Sequence, residues 1–179
     1  MAEHTLYGKR KLCYTEVTDF TDFQGIGRDP LYKRFDSVYS VIEKNIESQY
    51  RDFLAHPIYS DEDQILWYVC EWTNQPVAFK DLSGTDKTKY TAIKEKTVAA
   101  YEAVCRKLQG EDRQILTGAI KHIDEDFMFC YDDKVVVVAW GMSPESNKHI
   151  VNLHLIFLLP VPFYDWSRLR YVIVFIVYP

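Results

Sequence analysis

The segment 124–142, DEDFMFCYDDKVVVVAWGM, constrains the fold more than any other part of the chain. It contains two runs of β-branched and aromatic residues, which Asp132 and Asp133 separate. Short runs of this composition form β-strands, and a two-residue polar link between them is typical of a tight hairpin turn. The segment therefore predicts an antiparallel hairpin rather than an acid-rich active site. Its first three acidic residues, 124–126, fall in the link that precedes the hairpin.

Three further segments are predicted strands. Residues 64–72, QILWYVCEW, are largely aliphatic and aromatic, and the turn signal TNQP follows them. Residues 77–79 are therefore predicted to return antiparallel to 64–72. Residues 4–17 alternate in polarity over part of their length and predict an opening strand. A connection rich in Thr, Asp and Gly is expected between that strand and Pro30.

Three segments have the three- and four-residue spacing of amphipathic helices. The predicted helices run from an N-cap at Asp36 or Ser37 to the HP dipeptide at 56–57, from Ser83 or Thr85 to Gly110, and over 115–123. The chain is long enough for a single domain, 1–179, with a substantial core. Because strand runs and helix runs are segregated along it, the predicted fold class is α+β. We expect an antiparallel sheet of about five to seven strands with three helices packed on one face.

Charge and cysteine content narrow the classes of function. The formal net charge is −5 and the one basic cluster, GKRKL at 8–12, is short, so no nucleic-acid partner is expected. The N-terminus lacks an apolar signal segment, which predicts a cytoplasmic protein, with membrane association as an alternative. The cysteines lie far apart without a C-x-x-C pair and are interpreted as structural thiols.

Residues 150–179 are strongly apolar and form two runs, LHLIFLLP and YVIVFIVYP, around a proline-containing link. Each run is too short to cross a bilayer as a helix, which takes about 20 residues. We expect a strand pair that completes the sheet. One alternative is an interface with a second subunit or a partner. Another is the start of a membrane segment, because Arg168 and Arg170 precede the second run. In the interface interpretation the partner-binding residues are Trp166, Tyr171, Ile173, Phe175 and Val177.

Two acidic triplets, DED at 61–63 and at 124–126, are the only candidates for a metal site. Brought together, their carboxylates would suit a hard divalent cation. The ligands would come from Asp61, Asp63, Asp124 and Asp126. No EF-hand spacing is present, and acids before a strand are ordinarily solvated, so no metal site is predicted.

No cofactor and no catalytic residue is predicted. The histidines form neither H-x-H nor H-x-x-x-H, the spacing of zinc ligands. The motif GIGRDP at 25–30 lacks the third glycine and the following helix of a dinucleotide-binding fingerprint, and a turn explains it better.

The order of motifs over about Gln64 to Met142 resembles a soluble domain of uncharacterised bacterial membrane-anchored proteins, some encoded near virulence-associated genes. In that domain a WY…NQPV hairpin and a pair of helices precede a DEDF…V…WG hairpin. The resemblance implies a bacterial, membrane-proximal role in an assembly and carries over no catalytic residue. It does not account for the N-terminal strand and the first helix.

These patterns favour a non-catalytic interaction or scaffold protein that acts in an oligomer or a larger bacterial assembly. A protein partner or self-association is expected, and a small-molecule ligand is not identified. Two alternatives remain open. One is an enzyme, or a small-ligand or metal-binding protein, with a site at the hairpin ends. The other is a cytoplasmic, membrane-proximal domain of a membrane-anchored protein.

Overall fold

The computed structural model describes residues 8–60 and 63–145. The predicted strand pair 150–179 and its partner-binding residues lie outside the described residues. The elements are β1 (Lys9–Glu16), β2 (Phe20–Phe23), β3 (Gly25–Ile26), β4 (Asp29–Pro30), α1 (Phe35–Asn45), β5 (His56–Tyr59), β6 (Gln64–Cys70), β7 (Val77–Ala78), α2 (Gly84–Lys107), α3 (Gly110–Ile120), β8 (Met128–Tyr131), β9 (Lys134–Val137) and β10 (Met142–Pro144).

The strands pair antiparallel in four small sheets, with the orders β1-β6-β5, β7-β8-β9, β10-β2 and β3-β4. The α+β class with antiparallel strands is thereby confirmed. The described strands do not form one sheet of five to seven strands. The chain departs from extended geometry between β9 and β10, where Ala139 and Gly141 have φ of 51° and 68°. β10 therefore does not continue β9 within the β7-β8-β9 sheet. It pairs with β2.

The hairpin predicted at 124–142 is confirmed. β8 and β9 pair from Met128 with Val137 to Tyr131 with Lys134. Asp132 and Asp133, at the turn, have φ of 43° and 61°. Two successive left-handed residues are the requirement of a type I′ turn, and aspartate tolerates that conformation better than most residues.

The predicted pairing of 77–79 with 64–72 is wrong, because β7 pairs with β8, through Val77 with Cys130 and Ala78 with Phe129. A side chain in the turn of the β8–β9 hairpin explains this pairing. The carboxylate of Asp132 accepts hydrogen bonds from the backbone N–H groups of Thr73 and Asn74, at 2.5 and 2.9 Å. The TNQP segment is thus held at the β8–β9 turn and carries the chain from one sheet to the next.

The helices differ from the predictions mainly at their ends. α1 spans Phe35–Asn45. It was predicted to continue to the HP dipeptide at 56–57, and it ends about ten residues earlier. A 3-10 turn, Ser48–Phe53, occupies the remainder and continues the apolar spacing. α2 begins after Ser83, as predicted, but it ends at Lys107, where Leu108 continues in extended conformation. Gly110, predicted to leave α2 in a left-handed conformation, has φ of 61° but is the first residue of α3. α3 begins directly at Gly110 and contacts both α1 and α2. The predicted connection before Pro30 contains strands β2 to β4.

Two tryptophans join the larger sheets in one core. Trp67 on β6 and Trp140 after β9 are fully buried and pack edge to face, with ring centroids 6.2 Å apart. Each indole N–H is satisfied, because Trp67 donates to the Thr15 hydroxyl at 2.9 Å and Trp140 to the Ala55 carbonyl at 2.8 Å. Burial of rings this large dominates core energetics, provided that the N–H group has an acceptor. The buried residues form one hydrophobic cluster around this pair.

Candidate functional site

The carboxylates considered as metal ligands do not come together. Asp63 accepts from the Tyr59 hydroxyl at 2.5 Å, and Asp124 caps a 3-10 turn by accepting from the backbone N–H of Asp126 at 3.0 Å. The Asp126 carboxylate lies 3.8 Å from the Lys80 ammonium, whereas Asp61 lies outside the described residues. Within 8–60 and 63–145, no three His, Cys, Asp or Glu side chains are close enough to hold a metal ion.

A different set of polar side chains does converge. The Asp52 cluster, as we name it, gathers residues from five elements around the 3-10 turn Ser48–Phe53. Its members are Lys9, Asp52, His56, Cys70, Tyr131 and Lys134. Strand register accounts for the convergence, since Lys9 is opposite Cys70 on β1 and β6, and His56 is opposite Tyr68, two residues before Cys70. Residues two apart on a strand share a face, so these side chains lie on the same side of the sheet.

Hydrogen bonds link the polar groups of the cluster in pairs. The Lys134 ammonium donates to the Asp52 carboxylate at 2.7 Å, and the Lys9 nitrogen lies 3.0 Å from Nδ1 of His56. Lys9 also lies over the rings of Phe35 and Tyr39, 5.7 and 5.8 Å from their centroids. Its ammonium is therefore held by a ring nitrogen and two aromatic faces, which are weaker partners for a cation than a carboxylate.

Burial and the charge of Asp52 determine the protonation of the cluster. Burial raises the pKa of the Cys70 thiol, and the nearby Asp52 carboxylate raises it further. Burial lowers the pKa of Lys9, since little opposing charge compensates. Burial opposes the charged form of Lys134, but the hydrogen bond to Asp52 and the charge of that carboxylate, with smaller contributions from Cys70 and Asp132, together raise its pKa. A thiol with a raised pKa is a poor nucleophile, because the thiolate is the reactive form.

The hydroxyl of Tyr131 is the unusual group of the cluster. Tyr131 is 2% exposed, and its hydroxyl has no hydrogen-bond partner among the described residues. Burial raises its pKa, as do the nearby Cys70 and Asp52. Beside the cluster a cavity of about 20 Å³, lined by Lys9, Asp52 and Cys70 among others, is large enough for one water molecule. The cluster can therefore hold a water but not an organic substrate.

A larger cleft lies at the turn of the β8–β9 hairpin, and we call it the hairpin cleft. Its volume is about 220 Å³, and the residues that line it are Gln49, Tyr50, Asp52, Phe53, Ile93, Lys96, Thr97, Asp133, Lys134 and Val135. Asp52 separates the hairpin cleft from the smaller cavity, because it lines both. Sites for drug-sized ligands start at about 300 Å³, so this cleft suits a smaller molecule.

The third feature is the edge of β1 that faces away from β6. β1 is eight residues long and has β6 as its only strand neighbour among the described residues. We call the other side the open edge of β1. Such an edge exposes a row of backbone donors and acceptors and is a template for pairing with another strand. Its basic residues, Lys9, Arg10 and Lys11, occupy one half, and Leu12, Cys13 and Thr15 in the other half are buried.

Sequence patterns did not point to the Asp52 cluster. Asp52 falls in the predicted first helix, which placed it on a helix surface, and Cys70 was interpreted as a structural thiol. The pairing of Lys9 with Cys70 depends on the register of β1 and β6. That register contains a bulge between Lys11 and Cys13, which alternation alone does not reveal.

No helix in the described part of the chain combines the length and the apolar character needed to cross a bilayer. Compared with known protein families, with curated proteins and with solved structures, the chain matches none of them.

Proposed function

We propose that the chain is a non-catalytic interaction or scaffold protein that self-associates or binds a protein partner. The open edge of β1 is the observation that carries the proposal. An edge strand offers backbone donors and acceptors to an added strand, and on β1 the half that contains Lys9, Arg10 and Lys11 is not buried. We infer that the apolar residues 150–179 provide the association surface, through Trp166, Tyr171, Ile173, Phe175 and Val177.

The chemistry of the Asp52 cluster supports a non-catalytic role. A nucleophilic cysteine needs a neighbour that lowers its pKa. Here the residue beside Cys70 is a carboxylate, which raises that pKa, and the carboxylate itself is paired with Lys134. The other thiols are no better suited, since burial raises the pKa of Cys130 to about 12.

The resemblance over Gln64 to Met142 adds a context to the proposal. A bacterial, cytoplasmic scaffold that acts near a membrane would need an association surface and no catalytic residue. We also propose that residues 150–179 extend the β1-β6-β5 sheet to five strands, as the predicted larger sheet requires.

The experiment is a measurement of mass in solution by size-exclusion chromatography with light scattering. We expect a mass above that of the monomer, and we expect the double variant Ile173→Lys, Phe175→Lys to elute as a monomer. Val77→Lys is the matched control, because Val77 is an apolar residue that is 42% exposed on a different strand. A monomeric unmodified chain that also captures no protein partner refutes the proposal, and so does a double variant that stays associated.

A second candidate function is the binding of a small polar ligand in the hairpin cleft. The cleft lies at a hairpin end, and an ammonium and a buried threonine, Lys96 and Thr97, line it together. A ligand that binds only the folded state raises the melting temperature. A screen of small carboxylates and phosphates should then give a shift that Lys96→Ala abolishes and that Lys107→Ala, at the end of α2, retains. Without any such shift this candidate fails.

A further inference from the structure

We propose that the hairpin cleft binds a small organic monocarboxylate, with the carboxylate beside Lys96 and an apolar body against the floor of the cleft. The inference rests on the second candidate function, the binding of a small polar ligand in this cleft, and it names the chemical class of that ligand. It involves neither the open edge of β1 nor residues 150–179, so it is independent of the association surface.

The walls of the cleft are held in place by the fold. They come from three elements, the 3-10 turn Ser48–Phe53, helix α2 and the β8–β9 hairpin. The hydroxyl of Tyr101, on α2, donates to the carbonyl of Tyr50 in the turn at 3.1 Å. Lys134, in the hairpin, donates to the carboxylate of Asp52 in the same turn at 2.7 Å. The turn is thus fixed to both other walls, and the cleft is largely formed before a ligand binds.

Four charged side chains line the cleft, and only one of them lacks an ion-pair partner within the described part of the chain. The Lys134 ammonium is paired with Asp52, and Asp133 is paired with Lys89, which lies outside the lining. Lys96 is exposed and forms no such pair with any described residue. A carboxylate that enters the cleft would therefore find one ammonium free to donate. A hydrogen bond between two charged groups of this kind is stronger than one between neutral groups.

The same lining opposes a second negative charge on the ligand. Asp52 and Asp133 contribute two carboxylates, and together with the two lysines they bring the net charge of the lining to zero. A phosphate dianion or a dicarboxylate would place like charges close together, and their repulsion opposes binding. A single carboxylate matches the one unpaired ammonium, so the cleft favours a monoanion.

The uncharged part of the lining includes three apolar side chains, those of Phe53, Ile93 and Val135. The ring of Phe53 is buried and packs against the ring of Tyr101, with centroids 5.4 Å apart. An apolar body in contact with these side chains is removed from water, which favours binding. The cleft volume of about 220 Å³ equals that of about seven water molecules, at about 30 Å³ each. It therefore accommodates a carboxylic acid with a chain of several carbons.

Isothermal titration calorimetry of the full-length chain with matched compounds tests the inference. Hexanoate has one carboxylate and a short apolar chain. Hexanamide replaces the carboxylate with a neutral amide, adipate carries a second carboxylate at the other end of the chain, and acetate lacks the apolar body. We expect hexanoate to bind, and we expect the dissociation constant of each of the other three compounds to be at least about tenfold higher. Inorganic phosphate should bind no better than acetate.

Substitution of Lys96 tests whether its ammonium reads the carboxylate. Lys96→Gln should raise the dissociation constant of hexanoate at least about tenfold and leave the weaker binding of hexanamide unchanged. Lys96→Arg keeps the positive charge and should retain hexanoate binding. Lys107→Gln, at the end of the same helix and outside the cleft, is the matched control and should bind hexanoate as the unmodified chain does.

Substitution of Asp133 tests the exclusion of a second charge. Asp133→Asn removes one of the repelling carboxylates, and asparagine also tolerates the left-handed conformation of this turn residue, with φ of 61°. The dissociation constant of adipate should then move closer to that of hexanoate. Glu95→Gln is the matched control, because Glu95 is exposed on α2 outside the cleft, and it should leave the ratio of the two constants unchanged.

Three results overturn the inference. They are no binding of hexanoate, equal binding of hexanoate and hexanamide, and binding of adipate or phosphate as tight as that of hexanoate. Failure of the second candidate function is distinguishable, because it requires that no small carboxylate or phosphate bind in a way that depends on Lys96. Phosphate binding that Lys96→Gln abolishes would therefore refute the monocarboxylate and leave that candidate intact. The proposed association is tested separately by the mass in solution, which none of these compounds or variants should change.

Discussion

Two buried tyrosines offer a test in which the same substitution has opposite effects. Tyr101 and Tyr131 are almost fully buried, at 0% and 2% exposure. The Tyr101 hydroxyl donates to the carbonyl of Tyr50 at 3.1 Å, whereas the Tyr131 hydroxyl has no partner among the described residues. Replacement of each by phenylalanine removes only the hydroxyl. The two variants therefore compare a satisfied buried hydroxyl with an unsatisfied one.

The expected magnitudes follow from hydrogen-bond energetics. A typical intramolecular hydrogen bond contributes about 1 kcal/mol net, so Tyr101→Phe should lower the free energy of unfolding by about that amount. An unsatisfied buried polar group costs about 1–3 kcal/mol, and Tyr131→Phe removes such a group. Its free energy of unfolding should rise by about 1 kcal/mol, the lower end of that range. The difference between the variants is then about 2 kcal/mol.

Urea denaturation followed by tryptophan fluorescence measures the difference. Trp67 and Trp140 are both buried in the core, so their emission reports global unfolding. The midpoint should fall for Tyr101→Phe and rise for Tyr131→Phe while the slope of the transition is unchanged, which separates stability from changes in compactness. Equal losses in the two variants would refute the reasoning, since the Tyr131 hydroxyl would then have a partner worth as much as the Tyr50 carbonyl.

Three further predictions concern single contacts. Thr15→Val removes the acceptor of the buried Trp67 indole N–H and should destabilise the fold by about 1–3 kcal/mol, measured as a lower melting temperature; an unchanged melting temperature contradicts it. Gly141→Ala forces a Cβ into φ of 68° and to 3.2 Å from the Gly118 carbonyl oxygen, and the cost of about 1–2 kcal/mol should appear as a lower urea midpoint than that of the unmodified chain. The backbone N–H of Thr73, first among several donors, lowers the pKa of Asp132 in the folded state. Asp132 therefore stabilises the fold above its unfolded-state pKa, and this stability is lost as the pH falls through its folded-state pKa. Asp132→Asn should make the plot of unfolding free energy against pH shallower below about pH 4. Identical plots for the two proteins would count against the contact.

Sequence patterns predicted the elements whose signals are local. The β8–β9 hairpin was predicted because two aspartates interrupt two β-rich runs, and both residues have the left-handed conformation that the turn requires. The start of α2 after Ser83 was predicted in the same way. Gly110 was predicted to leave α2, but α2 ends at Lys107 and Gly110 begins α3 instead. These positions depend on residues next to each other in the chain.

The pairing between elements was not predictable in the same way. β7 was predicted to pair with β6, its nearest neighbour along the chain, but it pairs with β8. Asp132, in the β8–β9 turn, binds the backbone of Thr73 and of Asn74, which is 58 residues earlier in the chain. The Asp52 cluster depends likewise on the register of β1 and β6 and on a 3-10 turn that continues the periodicity of α1. Contacts of this kind are long-range, and composition and spacing do not record them.

The cluster and the edge strand are linked through Lys9. Its side chain lies in the Asp52 cluster, and its backbone belongs to β1, the strand at whose open edge we propose association. A strand on the open edge of β1 would hold the first residues of the sheet in place, and with them the contact between Lys9 and His56. Burial already lowers the pKa of Lys9, so the cluster is sensitive to any change in solvent access at this end of β1. Release of a strand added at that edge would expose this end of β1 to water and raise the pKa of Lys9 toward its ordinary value. We therefore expect association at the edge to be coupled to protonation inside the cluster, although no residue of the cluster needs to touch the partner.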